Sequence, residues 1–198
     1  MIVGIDIGGT KALAVLVDPV SNLVEASVVA PSSGNGFELV ESIVDLITKL
    51  DDQTAAPIDA VGLAVAGLVT SEGSVRYSPN LPSLTEFPLK ERVSNAIGLP
   101  VVVANDATAG TIAEAEIGAG KGCKNFIFVA LGTGIGTGLV VDGHLLNGSN
   151  GFAGESGHMT IKSDGDLHVT GRRGPWEMYG SGSSLTHMVR QAVSARTV

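Results

Sequence analysis

The chain has 198 residues, of which 44% are hydrophobic and 16% charged, and it carries a formal net charge of −8 at pH 7. This composition favours a globular protein over a disordered one, and the acidic balance disfavours nucleic acid and anionic lipid as partners. The single cysteine, Cys123, excludes an internal disulfide and favours a cytoplasmic location. The sequence shows no signal peptide and no apolar run long enough to cross a membrane, so we expect no membrane partner.

Strands and helices alternate along the first half of the chain. Between residues 37 and 50 the apolar residues recur on one helical face, whereas other apolar segments are short and bounded by turn residues, as strands are. Gly98 and Pro100 end a second helix, and Asn105 or Asp106 is a candidate N-cap for a third. In chain order we predict strands at 2–7, 12–17 and 23–29, a helix at 37–50, a strand at 60–66, a loop at 79–88, a helix at 89–97, a strand at 101–104 and a helix at 107–117.

The opening pattern of the chain recurs in its second half. Residues 2–18 read IVGIDIGGTKALAVLVD, residues 126–142 read FIFVALGTGIGTGLVVD, and the two align without a gap. Each copy predicts a strand, a Gly/Thr turn and a second strand, which indicates two duplicated domains. Glycine turns let backbone N–H groups approach phosphate oxygens, so two such hairpins can clamp a polyphosphate. Asp6 aligns with Ala130, so one hairpin alone carries a carboxylate, which suits a single Mg²⁺.

Five motifs resemble, in order, those of the actin-like ATPase superfamily and, within it, the ROK family of repressors and sugar kinases. They are Asp6-Ile-Gly-Gly-Thr-Lys11, Val103-Ala-Asn-Asp-Ala107, Leu131-Gly-Thr-Gly-Ile-Gly136, Gly151-Phe-Ala-Gly-Glu-Ser-Gly-His158 and Trp176-Glu-Met-Tyr-Gly-Ser-Gly182. The resemblance implies an α/β fold of two actin-like, ribonuclease H-like domains with a sugar and ATP cleft between them. We expect the first domain over residues 1–109 and an incomplete second domain over 110–198.

The resemblance also implies an activity, which is the ATP-dependent phosphorylation of a hexose, with glucose as the leading candidate. Asp106 is then the general base that takes the proton from the sugar hydroxyl, and Asp6 holds Mg²⁺ directly or through water. The implied sugar-binding residues are Asn80, Asn105, Asp106, Glu155, His158 and Glu177. The implied phosphate- and ATP-binding residues are Asp6, Gly8, Gly9, Thr10, Lys11, Gly132, Thr133, Gly134 and Gly136.

Several of these residues also have ordinary structural interpretations. Taken alone, Asp106 is a helix N-cap, Asn80 a turn residue in a loop, His158 a surface residue and Lys11 an exposed charge.

Family members continue beyond the position of Val198 with the helices and the Gly-rich loop that hold adenosine. We therefore expect this chain to bind ATP poorly, to expose apolar surface and to self-associate.

One motif of the family is altered. Many members carry a Cys-x-Cys-Gly-x-x-Gly-Cys zinc site after the sugar motif, and here His168, Thr170 and Pro175 stand at the three cysteine positions. Because one or two histidines without thiolates do not make a structural zinc site, we expect no structural zinc.

Other functions remain open. On the same scaffold the alternatives are an N-acetylhexosamine kinase, a fructokinase, a kinase that uses polyphosphate, and a non-catalytic sugar-sensing regulator or remnant. Family repressors carry an N-terminal helix-turn-helix, whereas the first predicted strand here begins at Ile2. The oligomeric state also remains open, with a homodimer as the candidate for a full-length form.

Overall fold

The computed structural model describes residues 1–32 and 35–195. The chain divides into two compact units, the first formed by Met1–Ala109 with Ser149–Phe152 and the second by Gly110–Gly148 with Ala153–Val198. The last three residues of the second unit lie outside the described residues. Among the helices of the described part, none is long and apolar enough to cross a membrane.

The first unit is a mixed five-stranded sheet with helices. The sheet has the order β3-β2-β1-β4-β7, in which β1 pairs antiparallel with β2 and parallel with β4, and β4 pairs parallel with β7. The strands of this unit are β1 (Ile2–Ile7), β2 (Lys11–Val17), β3 (Val24–Pro31), β4 (Ala60–Val65), β5 (Leu68–Val69), β6 (Val75–Tyr77) and β7 (Val101–Asn105), and the helices are α1 (Gly36–Asp51), α2 (Leu89–Ile97) and the first turn of α3 (Asp106–Glu116).

The core of the first unit lies between this sheet and its helices. Alternate residues of the central strands, such as Val3 and Ile5 of β1, are buried, as the period of a strand requires. Helix α1 buries Val40, Ile47 and Leu50 of the predicted apolar stripe in the same cluster. The predicted member Phe37 is instead 59% exposed, and the buried face is centred on Ile43 and Leu46. A capping box fixes its first turn, because Asn35 Oδ1 accepts from the backbone N–H of Glu38 while Glu38 Oε2 accepts from that of Asn35.

The predicted elements of the first half agree with the structure to within two residues at each end. The α/β fold class is confirmed. Two features were not predicted. Strands β5 and β6 form a small antiparallel hairpin, and the predicted loop at 79–88 contains a 3₁₀ turn over Pro82–Leu84. Both elements are too short to give a periodic pattern.

The second unit contains a smaller sheet of order β10-β9-β8, all antiparallel. Its strands are β8 (Phe126–Leu131), β9 (Ile135–Val141) and β10 (His144–Leu145), and it also holds most of α3, a 3₁₀ turn (Ser156–His158), α4 (Glu177–Gly180) and α5 (Gly182–Ser194). Within the described sheet β8 pairs on one side, with β9. Its outward residues Ile127 and Leu131 are 64% and 67% exposed.

The two repeated hairpins share their strand limits but differ in pairing. In the first hairpin Ile7 pairs with Ala12, and in the second Leu131 pairs with Ile135. Four residues therefore separate the last pair of the first hairpin, and three separate the last pair of the second. Gly8 N–H donates to Lys11 O over 3.0 Å, whereas Gly132 N–H donates to Gly134 O over 3.0 Å. The second turn is the tighter one.

Candidate active site

The first glycine turn, Gly8-Gly9-Thr10, is held from one side by a buried serine. Ser32, 1% exposed, follows β3. Its Oγ donates a short hydrogen bond to Gly8 O, and its N–H donates to Thr10 O over 3.3 Å. Because these bonds occupy turn carbonyls, they fix the orientation of the peptide units of the turn. Sequence reasoning missed Ser32; its place directly after the strand beside the hairpin was the available clue.

Asn80 packs on the first turn. A Cβ at Gly9 would lie 3.0 Å from Asn80 Cβ and 3.3 Å from Asn80 O, so the two backbones approach closely. The buried Ser78 holds this loop, since its Oγ donates to Ala66 O over 2.7 Å and accepts from Leu81 N–H over 3.1 Å. The structure therefore brings together two predicted site residues, Gly9 and Asn80. Lys11 begins β2 with an exposed side chain.

Asn105 and Asp106 stand where β7 passes into α3. Asn105 Oδ1 accepts from Thr108 N–H over 3.1 Å, the bond of an N-cap, and Asn105 Nδ2 donates to Gly67 O over 2.8 Å. Asp106 Oδ1 accepts from the N–H of Ala107 over 2.9 Å. Of the two predicted N-cap candidates, Asn105 is therefore the residue that caps α3. The alternative interpretation of Asp106 as the N-cap is wrong.

Asp106 has a perturbed carboxyl group. Desolvation by the surrounding protein raises its pKa above the ordinary value of an aspartate; the Ala107 N–H opposes that shift, and the charge of Asp6 adds to it. The Asp6 side chain is itself exposed, on the strand β1 that pairs with β4, which in turn pairs with β7. Asp106 also retains exposed surface, so a substrate can reach it. Two carboxylates that influence one another at the ends of sheet strands are typical of a functional site.

The second glycine turn, Gly132-Thr133-Gly134, is held by the start of α5. The N–H of Gly182 donates to Gly132 O over 2.8 Å, and that of Ser183 donates to Thr133 O over 3.3 Å. The helix itself begins at a capping serine, because Ser181 Oγ accepts from Ser184 N–H over 3.1 Å. Gly136 lies beyond the turn, in β9, opposite Ala130.

Glu177 contacts the same turn. Its Oε2 accepts from the N–H of Ile135 over 2.8 Å. A Cβ on Gly134 would collide with this carboxylate, so a larger residue there requires Glu177 to move. The structure therefore brings Glu177, a predicted sugar-binding residue, next to Gly134, a predicted phosphate-binding residue.

The Glu155–His158 motif is anchored on β9. Thr137 Oγ1 donates a short hydrogen bond to Gly154 O and accepts from Ser156 N–H over 3.3 Å. Within the motif, His158 Nε2 lies 3.6 Å from Glu155 Oε2, and both side chains keep exposed surface. The Nδ1 atom of His158 is buried and has no hydrogen-bond partner in the described structure.

A structural zinc does not fit the residues of the loop at 159–175. Within residues 1–32 and 35–195, no three His, Cys, Asp or Glu side chains are grouped so that they could hold a metal. His158 and His168 do contact, with ring centroids 5.7 Å apart, but the other two cysteine positions hold Thr170 and Pro175. Hydrogen bonds close the loop instead: Ile161 N–H donates to Gly174 O over 2.9 Å. The buried His158 Nδ1 lacks a hydrogen-bond partner among the described residues, but a single nitrogen does not make a structural zinc site.

An α/β chain with a five-stranded 3-2-1-4-7 sheet and two glycine-turn hairpins has the actin-like ATPase fold. The model of the ROK family matches residues 2–197. The chain is 40% identical to a glucokinase of Streptomyces coelicolor over 197 residues, which are 98% of this chain and 60% of the relative. It is 35% identical to a xylose repressor of Bacillus subtilis over 147 residues, which are 74% of this chain and 38% of the repressor.

A solved structure agrees with these relatives. A ROK family glucokinase of Streptomyces griseus, in complex with glucose and AMPPNP, superposes with a TM-score of 0.85 at 34% identity and covers 98% of this chain and 61% of that one. The chain therefore belongs to the ROK family, as its motifs predicted. It spans about three fifths of the length of the glucokinases that it matches.

Proposed function

We propose that this protein acts as an ATP-dependent hexose kinase of the glucokinase type, with Asp106 as the general base. The observation that carries the proposal is the Asp106 carboxyl, which is accessible, fixed at the junction of β7 and α3, and has a pKa raised by desolvation and by Asp6. We also propose that the two units correspond to two actin-like domains over 1–109 and 110–198, the second of them incomplete.

The proposed reaction places the sugar hydroxyl against Asp106. A hydroxyl is a weak nucleophile, so it must be held in line with the terminal phosphate and lose its proton as the new P–O bond forms. Asp106 accepts that proton, and its raised pKa makes it a stronger base than an ordinary aspartate. Because Asn105 caps α3, the backbone that carries Asp106 is fixed before a substrate arrives.

In this proposal the glycine turns bind the phosphates of the donor. Ser32 fixes the carbonyls of the first turn, and the start of α5 fixes those of the second. Because Gly8 N–H and Gly132 N–H donate within their own turns, the N–H groups proposed to donate to phosphate without reorganisation are those of Gly9, Thr10, Thr133 and Gly134. Asp6 offers an exposed carboxylate, the kind of ligand that Mg²⁺ prefers, and the ion would neutralise charge on the phosphates. ATP is the proposed donor, with polyphosphate as the alternative.

The residues proposed to bind the sugar are carboxylates, amides and a histidine. Glu155, His158 and Glu177 are the proposed ligands of the ring hydroxyls, and Asn80 and Asn105 those of the reactive side. Asn105 already makes one hydrogen bond with each end of its amide. An amide has two N–H donors and two lone pairs, and the second donor of Asn105 also contacts the Asp106 carboxylate. The second lone pair of Oδ1 is therefore the site proposed to bind a sugar hydroxyl. Glucose leads among the hexoses because the glucokinase relatives cover nearly all of this chain.

A sugar-sensing regulator is the second candidate, because a xylose repressor matches three quarters of the chain. The net charge of −8 disfavours DNA binding by this segment itself. The two functions share sugar binding and differ in phosphoryl transfer.

A two-part experiment separates these functions. Trp176 is the single tryptophan and precedes Glu177, so its fluorescence can report titrations with glucose, mannose, fructose, N-acetylmannosamine and xylose. A coupled assay with ATP or polyphosphate then measures transfer to each sugar that binds. Binding with transfer supports a kinase, binding without transfer under either donor supports a sensor, and binding of none of the sugars would refute both. Calorimetry with a non-hydrolysable ATP analogue tests the expected weak binding of nucleotide.

A further inference from the structure

His168 stands at a position that the resemblance gives to a zinc-binding cysteine, but it faces a carboxylate. Its Nε2 atom lies 3.8 Å from Glu177 Oε1, and the two side chains are 16% and 26% exposed. This separation is too long for a direct hydrogen bond, so the contact is electrostatic. In surroundings with limited access to water, such a contact is screened less than one on the surface.

The orientation of the His168 ring is fixed on its other edge. His168 Nδ1 lies 2.9 Å from Thr170 Oγ1, and the N–H of Thr170 points to the same nitrogen over 3.4 Å. A backbone N–H can only donate, so Nδ1 is the accepting nitrogen, and a neutral ring carries its proton on Nε2. That proton faces Glu177. The attraction between ring and carboxylate is therefore present whether the ring is neutral or protonated.

Glu177 in turn contacts the second phosphate turn. Its two carboxylate oxygens have different neighbours: Oε2 accepts from Ile135 N–H over 2.8 Å, and Oε1 faces His168. The carboxylate also fills the space beside Gly134. A rotation of Glu177 would thus free the Ile135 amide and loosen one wall of the turn.

We propose that His168 is a positioning residue, which holds Glu177 in the rotamer that binds Ile135 N–H and thereby fixes the second phosphate turn. The loop at 159–175 then acts on the site through a histidine–carboxylate contact. Where Glu177 also binds the sugar, which rests on the proposed function, one side chain links the sugar to the phosphate turn. Sugar binding and the order of that turn should then change together.

The test uses amide hydrogen exchange, which needs no ligand. In His168→Ala we expect the Ile135 amide to exchange roughly fivefold faster than in the unchanged protein, because the carboxylate that protects it is no longer held. His168→Gln, which keeps an N–H donor directed at Glu177, should restore most of the protection. His144→Ala is the matched control, since His144 is an exposed histidine of the same unit that contacts the backbone of Asp142. This control variant should leave the exchange rate of the Ile135 amide unchanged.

The same variants are then titrated with glucose by Trp176 fluorescence. We expect His168→Ala to weaken glucose binding by about fivefold to tenfold and His168→Gln to recover it. Unchanged protection of Ile135 in His168→Ala would overturn the positioning role, whatever the sugar result. Equal loss of protection in His168→Gln would also overturn it, because a general loosening of the loop would then explain the effect. If the unchanged protein binds no hexose, the proposed function fails while the exchange experiment still decides the role of His168.

Discussion

The two repeated hairpins differ most in what surrounds them. In the first unit β1 pairs on both sides, with β2 and β4, and its buried residues belong to a large apolar cluster. In the second unit β8 pairs with β9 alone, and the buried hydrophobic residues among those described are Ile135 and Val140. Helix α5 likewise leaves Leu185, 60% exposed, and its apolar neighbours uncovered.

This difference shows how one strand–turn–strand pattern can be held in two ways. The first turn is supported by a sheet and a core that order the chain around it, and a single serine hydroxyl completes the support. The second turn has little buried apolar area behind it, so polar contacts carry more of its order: the start of α5, Glu177 and, as we propose, His168. Because buried apolar area is the larger stabilising contribution in most domains, we expect the second unit to be the less stable of the two.

The largest expected effect is on turnover, and it comes from a carboxylate of the first unit, Asp106. Asp106→Asn should reduce turnover by about 10² to 10⁴-fold, because the amide keeps the shape of the side chain but cannot accept a proton. Glucose titration through Trp176 should show nearly unchanged affinity. Asp45→Asn, at an exposed carboxylate on α1, is the control and should retain turnover. Turnover of Asp106→Asn within a few-fold of that control would contradict the assignment.

The uncovered strand predicts self-association. Ile127, Val129 and Leu131 lie on one exposed face of β8, beside an edge whose backbone groups can pair with another chain. We expect light scattering after size exclusion to show oligomers or aggregates, and the double change Ile127→Thr with Leu131→Thr to shift the population strongly toward monomer. Val102→Thr removes an exposed apolar residue from the edge strand of the first unit and serves as the control. If the protein without substitutions is monomeric, the exposed face of β8 does not drive self-association.

The glycines of the second turn give a smaller effect that is sharply position-dependent. Gly134→Ala should lower the free energy of unfolding by about 1–3 kcal/mol, because its Cβ would overlap the Glu177 carboxylate. Gly132→Ala should change it by less than about 0.5 kcal/mol, since a Cβ there meets no atom within 4 Å. Chemical denaturation measures both. Equal losses in the two variants would show that Glu177 does not fill the space beside Gly134 in solution.

The sequence predicts the first unit better than the second, and the reason is physical. Strands and helices that bury one face leave a periodic pattern, so Ile2–Ile7 and Leu89–Ile97 could be predicted at their observed limits. The side chains that hold the two glycine turns leave no such periodic pattern. Ser32 acts through a tertiary hydrogen bond to a residue far away in the chain, and His168 faces Glu177 only because a loop folds back. Motif order indicated the candidate site residues, whereas the residues that contact them could be identified only from the structure.

The pH dependence of kcat/KM tests whether the charge of Asp6 raises the pKa of Asp106, and the expected shift is small. Because the Asp106 pKa is raised in the folded protein, kcat/KM should fall with decreasing pH at a higher pH than an ordinary aspartate would cause. In Asp6→Asn this acidic limb should move to lower pH, since the charge of Asp6 is one cause of the shift. The folded-state shift also means that protonated Asp106 stabilises the fold at low pH, and that this stability is lost as pH rises through the raised pKa. An acidic limb that does not move in Asp6→Asn would contradict the coupling.

The smallest expected effect is that of removing zinc. The loop at 159–175 belongs to the less well packed unit, where a structural metal would contribute most, yet its donors do not form a zinc site. We expect purified protein to contain no stoichiometric zinc and its melting temperature to stay unchanged in EDTA. The hydrogen bonds of Ile161 and Thr160 to Gly174 and Arg173 would then be what closes the loop. Thr160→Val removes one of them and should lower the melting temperature slightly in either buffer. A drop in EDTA that added zinc reverses would show that His158 and His168 recruit a metal, and the second unit would owe its order to that ion.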